Sequence, residues 1–185
     1  VRIIAGRFRG KQIHSLKIPN LRPTLGRVKE TFFAIIENHV VPSGMRALDI
    51  FAGTGNLGLE ALSRGAADVT FVENNRESLS IIGKNIADFG VEGCTSVITA
   101  DVFDAVERLA AGGRRFDLII MDPPFRNDYL NRVIGETRID LILDDEGMIA
   151  CETEKKYSFK NNEKWDIIRE RKIADSTLWF LKKRS

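Results

Sequence analysis

Two short stretches bring together the residue types that chemistry needs. Asp122-Pro123-Pro124-Phe125 follows the apolar run 116–121, and Gly53-Thr54-Gly55-Asn56-Leu57-Gly58 follows the apolar run 47–51. The first stretch suits the presentation of a reluctant amine. An exocyclic amino group on a nucleic-acid base has its lone pair delocalised into the ring. To attack an electrophilic carbon it must be held pyramidal, with both N–H groups aimed at acceptors. Asp122 offers a carboxylate oxygen, and the carbonyl of Asp122 or Pro123 offers a second acceptor. Pro123 and Pro124 fix their own φ, bias the residue before each to extended geometry, and carry no N–H to compete. Phe125 adds a flat apolar face for stacking, a contact of about 1–3 kcal/mol per base. The other reading of these residues is a rigid loop opener with an aromatic at the core edge.

The glycine stretch brings bare backbone close to a ligand. Gly53 and Gly55 can take positive φ, and Gly58 lets a following helix approach a sheet closely. Glu73 lies twenty residues beyond Gly53, at the end of the next apolar run. There a carboxylate can accept from both hydroxyls of an adenosine ribose. Asp101 ends the third run, where it can reach an adenine amino edge or cap the helix that starts at Val102. Asp49 decides between a nicotinamide dinucleotide and a sulfonium. A carboxylate four residues before the first glycine would repel a pyrophosphate, but suits a cationic sulfonium beside a methionine tail. The expected donor is S-adenosylmethionine, with no metal. Its site is expected to comprise Asp49, Phe51, Ala52, Gly53, Thr54, Gly55, Glu73, Asn74, Asp101, Val102 and Asp122.

These stretches need a scaffold that puts both loops at one edge. Apolar runs at 47–51, 69–72, 96–99, 116–121 and 148–151 alternate with helical patterns, notably 76–89 and 102–110. Such alternation implies a mostly parallel sheet covered on both faces. Residues 165–173 and 177–183 alternate apolar and polar types around Ala174-Asp175-Ser176, which predicts a closing antiparallel hairpin. At the other end, residues 2–6 and 11–16 read as a short β-hairpin turning at Arg9-Gly10. After the breaker 19–23, Thr24 is a plausible N-cap for a helix with Val28, Phe32, Ile35 and Ile36 on its apolar face. The expected organisation is a basic extension over 1–23 and one Rossmann-like α/β domain over 24–185.

Of the 28 basic residues, eight fall within 1–29, where there is no acid; the rest of the chain holds 20 against all 26 acids. Positive charge gathered at one end of an otherwise acidic chain suggests contact with a polyanion, or else a solvated basic arm. Arg7, Arg9, Lys11, Arg22 and Arg27 are the expected phosphate contacts, within a segment reaching from the hairpin through Lys29. Gly6 and Gly10 read as turn residues. Cys94 and Cys151 form no C-x-x-C pair, which argues against a zinc site or a disulfide framework. They read as small buried hydrophobes. With no apolar run of about 18 residues and no signal-like leader, a cytoplasmic monomer is expected.

With these residues in view, the chain resembles the amino methyltransferases that carry an (Asn/Asp/Ser)-Pro-Pro-aromatic motif, and more narrowly the bacterial RsmD family. The resemblance runs nearly end to end. It covers 2–10, Arg22-Pro23-Thr24 with Arg27-Val28-Lys29-Glu30, 49–55 with 58–66, Phe71-Val72-Glu73 and Asp122-Pro123-Pro124-Phe125. It implies methylation of guanine N2 in small-subunit (16S) ribosomal RNA and a seven-stranded sheet whose last strand is antiparallel. It also implies Glu73 at the donor ribose, Asp101 at the adenine, and Asp122 with Phe125 at the guanine. Phe125 departs from the common tyrosine, which keeps a stacking face and removes a hydroxyl. The substrate base is expected unpaired or flipped.

Rival readings use the same residues. A DNA adenine-N6 or cytosine-N4 methyltransferase would use the same clamp, but 126–185 leave little room for a target-recognition domain. A protein-glutamine N5 methyltransferase would leave the basic segment without a purpose. Asp49 opposes an NAD-dependent oxidoreductase, and an intact Asp122-Pro123-Pro124-Phe125 opposes a noncatalytic RNA-binding module.

Overall fold

Alternating burial along the chain builds a single sheet with helices on both sides. The structure, a computed structural model, describes residues 1–16, 24–124, 128–160 and 163–184; the side chains of 24 and 25 are outside that description. In chain order the elements are α1 (Thr24–Ile36), β1 (Arg46–Asp49), α2 (Asn56–Arg64), β2 (Asp68–Glu73), α3 (Arg76–Phe89), β3 (Thr95–Thr99), α4 (Val102–Ala111), β4 (Phe116–Met121), α5 (Tyr129–Glu136), α6 (Ile139–Ile142), β5 (Leu143–Glu154), β6 (Trp165–Ile173) and β7 (Ser176–Lys183).

Among the described residues the sheet has seven strands in the order β3-β2-β1-β4-β5-β7-β6. β1 to β5 pair in parallel, and β7 runs antiparallel between β5 and β6. The strand order turns back at β1 and β4, which pair directly with Asp49 opposite Ile120. Ligands bind open α/β sheets at such a reversal, beyond the carboxyl ends of the strands. The glycine loop leaves β1 there and Asp122-Pro123-Pro124 leaves β4 beside it.

Each central strand is apolar on both faces, as a doubly covered sheet demands. Ala47, Leu118, Ile120, Met148 and Ala150 join Phe32 and Phe33 of α1, Leu59 and Leu62 of α2, and Ile82 and Ile86 of α3. Leu48, Ile119, Met121, Ile149 and Cys151 join Val106 of α4, Val133 of α5 and Ile139 of α6 on the opposite face. Val28, Phe32 and Ile36 of α1 are buried as its periodicity predicts. Both cysteines are free, Cys151 buried and Cys94 half-buried. No described helix is long and apolar enough to cross a membrane.

Three sequence expectations need correction. β1 stops at Asp49 rather than 51, because the chain turns into the glycine loop there, tied by Ile50 N–H to the Ile120 carbonyl and by Ala52 N–H to the Val72 carbonyl. β5 begins at Leu143 instead of 148. Asp144, Asp145 and Glu146 hide that start, since their exposed positions carry charge. The N-terminal hairpin forms but is shorter than expected: Arg2 bridges Gln12, Ile3 N–H donates to the Lys11 carbonyl, and Ile13 N–H donates to the Val1 carbonyl. Beyond that pairing its backbone groups turn to α2: Ile4 and Ala5 N–H donate to the Glu60 carboxylate, and Arg7 and Phe8 N–H donate to Ser63. Gly6 (φ 81°) makes that approach possible, because a Cβ there would overlap the Ser63 carbonyl. The segment is thus built onto the core, with Ile3 and Ile13 buried.

Candidate active site

The glycine loop is shaped by what holds each of its ends. Asp49, 1% exposed, accepts from Gly58 N–H at 2.9 Å and so pins the start of α2. Among the described residues its second oxygen, Oδ1, has no hydrogen-bond partner. Burial first, and then the nearby Glu73 charge, push its carboxyl up to about 7. Gly55 (φ 80°) is the left-handed residue before α2. At Gly58 a Cβ would overlap the Phe71 ring, so only glycine lets α2 lie this close to β2. Gly53 (φ 55°) has nothing within 4 Å of where a Cβ would project.

Glu73, at the end of β2, reaches back to this loop. It accepts from Gly53 N–H at 2.8 Å through one oxygen, and from Asn74 and Asn75 N–H, each at 2.8 Å, through the other. Three of the carboxylate's roughly four acceptor sites are thus used, and the oxygen bonded to Gly53 keeps one to spare. Asp101 caps α4, accepting from Phe103 N–H at 2.9 Å, and also lines the same cleft.

That cleft, of about 420 Å³, gathers most of the residues expected at a donor site: Phe51, Gly53, Glu73, Asn74, Asp101, Val102 and Asp122, with Pro123 and Pro124 along its rim. A second cleft of about 250 Å³ lies across the loop and shares Phe51, Gly53 and Asp122 with the first. Asp49, Ala52 and Thr54 line this second cleft, together with Ser15 and Leu16 of the N-terminal segment and Asn56 and Leu57 of α2. Gly55 lines neither. Asp122 therefore stands between two spaces, open to both. The protein enclosing its other sides, then the carboxylates of Glu152 and Asp49, raise its pKa.

Among the residues expected to touch phosphates, Arg7, Arg9, Lys11 and Arg27 are exposed. Arg7 lies over the Phe8 ring, while Lys11 donates to the Asp88 carbonyl and lies over Phe89. Lys29 corrects the expected basic surface, for it is turned inward. It pairs with the fully buried Glu60 at 2.9 Å and donates to the Arg2 carbonyl and to Asn56 Oδ1. Glu60 also holds Arg64 at 2.9 Å. Burial alone would raise Glu60, but Lys29, the Ile4 N–H and Arg64 together hold its carboxyl below the usual range. Arg22 and Phe125 lie outside the described residues, as do the breaker 19–23 and the Thr24 side chain.

Three contributors escaped the sequence reading. Tyr129 opens α5, lines the larger cleft and lies 4.9 Å from the Phe51 ring. An aromatic close behind the clamp was its only signal. Asn85, fully buried on α3, accepts from His14 N–H and donates to the carbonyls of His14 and Thr54. It joins the N-terminal segment to the glycine loop, but a search for apolar periodicity passes over such a residue. Glu152 on β5 is the third; its side chain accepts from Ser176 Oγ. Among the described residues no group of three or more His, Cys, Asp or Glu side chains could hold a metal ion.

Comparison with known proteins places the family and the fold. Residues 1–182 match the family model described as Conserved hypothetical protein 95. Ribosomal RNA small subunit methyltransferase D of Escherichia coli (strain K12) is 35% identical over 185 residues, covering 100% of this chain and 90% of that protein. The protein of the same name from Haemophilus influenzae is 35% identical over 175 residues, covering 92% and 88%. A hypothetical protein of Thermus thermophilus superposes with a TM-score of 0.83 at 25% identity, covering 98% of this chain and 99% of that one. The fold is that of the Rossmann-like methyltransferases. With a family match along almost its whole length and relatives of this identity, the chain belongs to the RsmD family.

Proposed function

We propose that this chain transfers a methyl group from S-adenosylmethionine to the exocyclic N2 of a guanine in small-subunit ribosomal RNA. One observation carries the reading: the Asp122-Pro123-Pro124 corner and the Gly53–Glu73 loop line a single cleft at the reversal of strand order. The names of the relatives, ribosomal RNA small subunit methyltransferases, support the substrate class.

The residues present fit the donor. Gly53 leaves open the space that a Cβ would fill, and the Glu73 and Asp101 carboxylates border the same cleft. Glu73 would hold the ribose hydroxyls, Asp101 the adenine edge, and Phe51, Asn74 and Val102 the walls. When bound, the donor supplies an electrophilic methyl carbon.

The chain's own part is to bind, orient and receive a proton. Asp122 accepts an N–H of the base amine, and the rigid proline backbone supplies the second acceptor, so the nitrogen lone pair is freed from the ring. After transfer the nitrogen has a proton to lose. Asp122, made more basic by its surroundings, is placed to take it. Exposed Arg7, Arg9 and Arg27 with Lys11 hold the RNA through its phosphates, leaving base reading to the clefts. Arg22 and Phe125 are assigned to the RNA and to the stacked base on sequence alone.

The test is transfer of labelled methyl to total RNA, ribosomal subunits and DNA in parallel, followed by nucleoside identification. N2-methylguanosine in small-subunit RNA is the expected product. Label in N6-methyladenine or N4-methylcytosine of DNA would replace the reading.

A further inference from the structure

Beside Asp122 stands a second carboxylate that the amine-holding role leaves unexplained. β4 and β5 pair in parallel with Ile120 opposite Ala150 and Met121 opposite Cys151. Asp122 is the first residue past β4, one step beyond that register toward Glu152, whose charge acts on it. Ile120 and Ala150 share the α1–α2 face of the sheet, and strand alternation puts Asp122 and Glu152 on that face too. Asp49, opposite Ile120 on β1, adds a third carboxyl group there; it lines the second cleft, and its buried Oδ1 has no hydrogen-bond partner among the described residues. Glu152 is half-buried and held by Ser176 Oγ through Oε1. Among the described residues Oε2 has no hydrogen bond.

Like charges side by side on adjacent strands oppose folding. Burial raises the pKa of Glu152, and its charge adds to the rise at Asp122. Taking up a proton relieves this arrangement, and so would a ligand that brings adjacent hydrogen-bond donors. Among the four bases, guanine alone has an exocyclic amine next to a ring N–H, its N2 beside N1–H. Adenine N6 lies beside N1, and cytosine N4 beside N3, and both ring nitrogens are acceptors.

Resting on the proposed N2 chemistry, we infer that Glu152 is the specificity-determining residue of this site, accepting the guanine N1–H while Asp122 accepts from N2. A ring acceptor placed there meets a carboxylate instead of a partner, so adenine and cytosine are turned away by repulsion as well as by lost bonding. Ser176 fixes which oxygen of Glu152 is available.

The experiment uses small ribosomal subunits reconstituted on RNA that carries either guanine or 2-aminopurine at the methylated nucleotide. 2-Aminopurine keeps the 2-amino group but has an acceptor at N1. The wild-type chain should prefer guanine by roughly a hundredfold or more in kcat/KM, as expected of a site built around a hydrogen bond. Glu152→Gln, whose amide can donate or accept, should narrow that preference about tenfold or more while calorimetry shows unchanged S-adenosylmethionine affinity. Should that variant fail to fold, Ser176→Ala tests the same point by releasing Glu152, and it too should narrow the preference. Equal rates of the wild type on both bases, or a preference that survives in the variants, overturns the inference alone. Absence of methyl on the 2-amino group of either base overturns the N2 reading, and the inference with it.

Discussion

Asp122, Glu73 and Asp49 are carboxyl groups within one small region, and their surroundings give them different work. Asp122 faces both clefts, so its removal should affect the transfer step. Asp122→Ala is expected to lower kcat by about 10²–10³, the range for losing one preorganised hydrogen-bonding group. Its affinity for S-adenosylmethionine by calorimetry should change little. Glu73 behaves in the opposite way. Glu73→Ala should weaken donor binding by about 1.5–3 kcal/mol, the range for hydrogen bonds to a charged group, and unchanged affinity would remove it from the site.

Asp49 has a pH signature. An unfolded aspartate ionises near about 3.9, whereas the folded Asp49 keeps its proton until about 7. Between these values the folded state holds the extra proton. Its contribution to stability is therefore full in acid and is lost as pH rises through 7. Asp49→Asn cannot ionise, so its melting temperature without donor should fall less between pH 5 and pH 8 than that of the wild type. An equal fall in both would show that Asp49 is not the group responsible.

At the scale of elements, α2 depends on one missing side chain. Gly58→Ala would drive a methyl into the Phe71 ring and should cost about 1–3 kcal/mol in denaturant unfolding, as overpacking does. The sequence made this position legible because glycine spacing after a strand has a steric cause. α3 and the closing hairpin were legible for a related reason: their apolar periods and turn residues agree. The start of β5 was not, since its charged residues serve an exposed strand end. The N-terminal hairpin was legible but its short reach was not, because Ile4, Ala5 and Phe8 give their N–H groups to Glu60 and Ser63, more than fifty residues away. That Gly53, Glu73 and Asp122 meet at one cleft could be read from spacing alone. Asn85 and Glu152 could not, for their meaning comes from neighbours on other elements.

Across the whole molecule, charge is divided between an exposed basic turn and an acidic remainder. Replacing Arg7, Arg9 and Lys11 together with alanine should weaken RNA binding and reduce the slope of log affinity against log salt by about 0.7 per lost contact to single-stranded RNA. An unchanged slope would move the phosphate contacts elsewhere. Lys29 belongs to the fold instead of this surface, since Glu60 holds it inside.

The amide of Asn85 makes the strand carrying that basic turn and the Thr54 bend next-door neighbours. Lys29 adds a second tie, joining the Arg2 carbonyl to Asn56 where the loop enters α2. If gripping the polynucleotide tightens the hold on the small donor by some factor, the donor tightens the grip on the polynucleotide by that same factor.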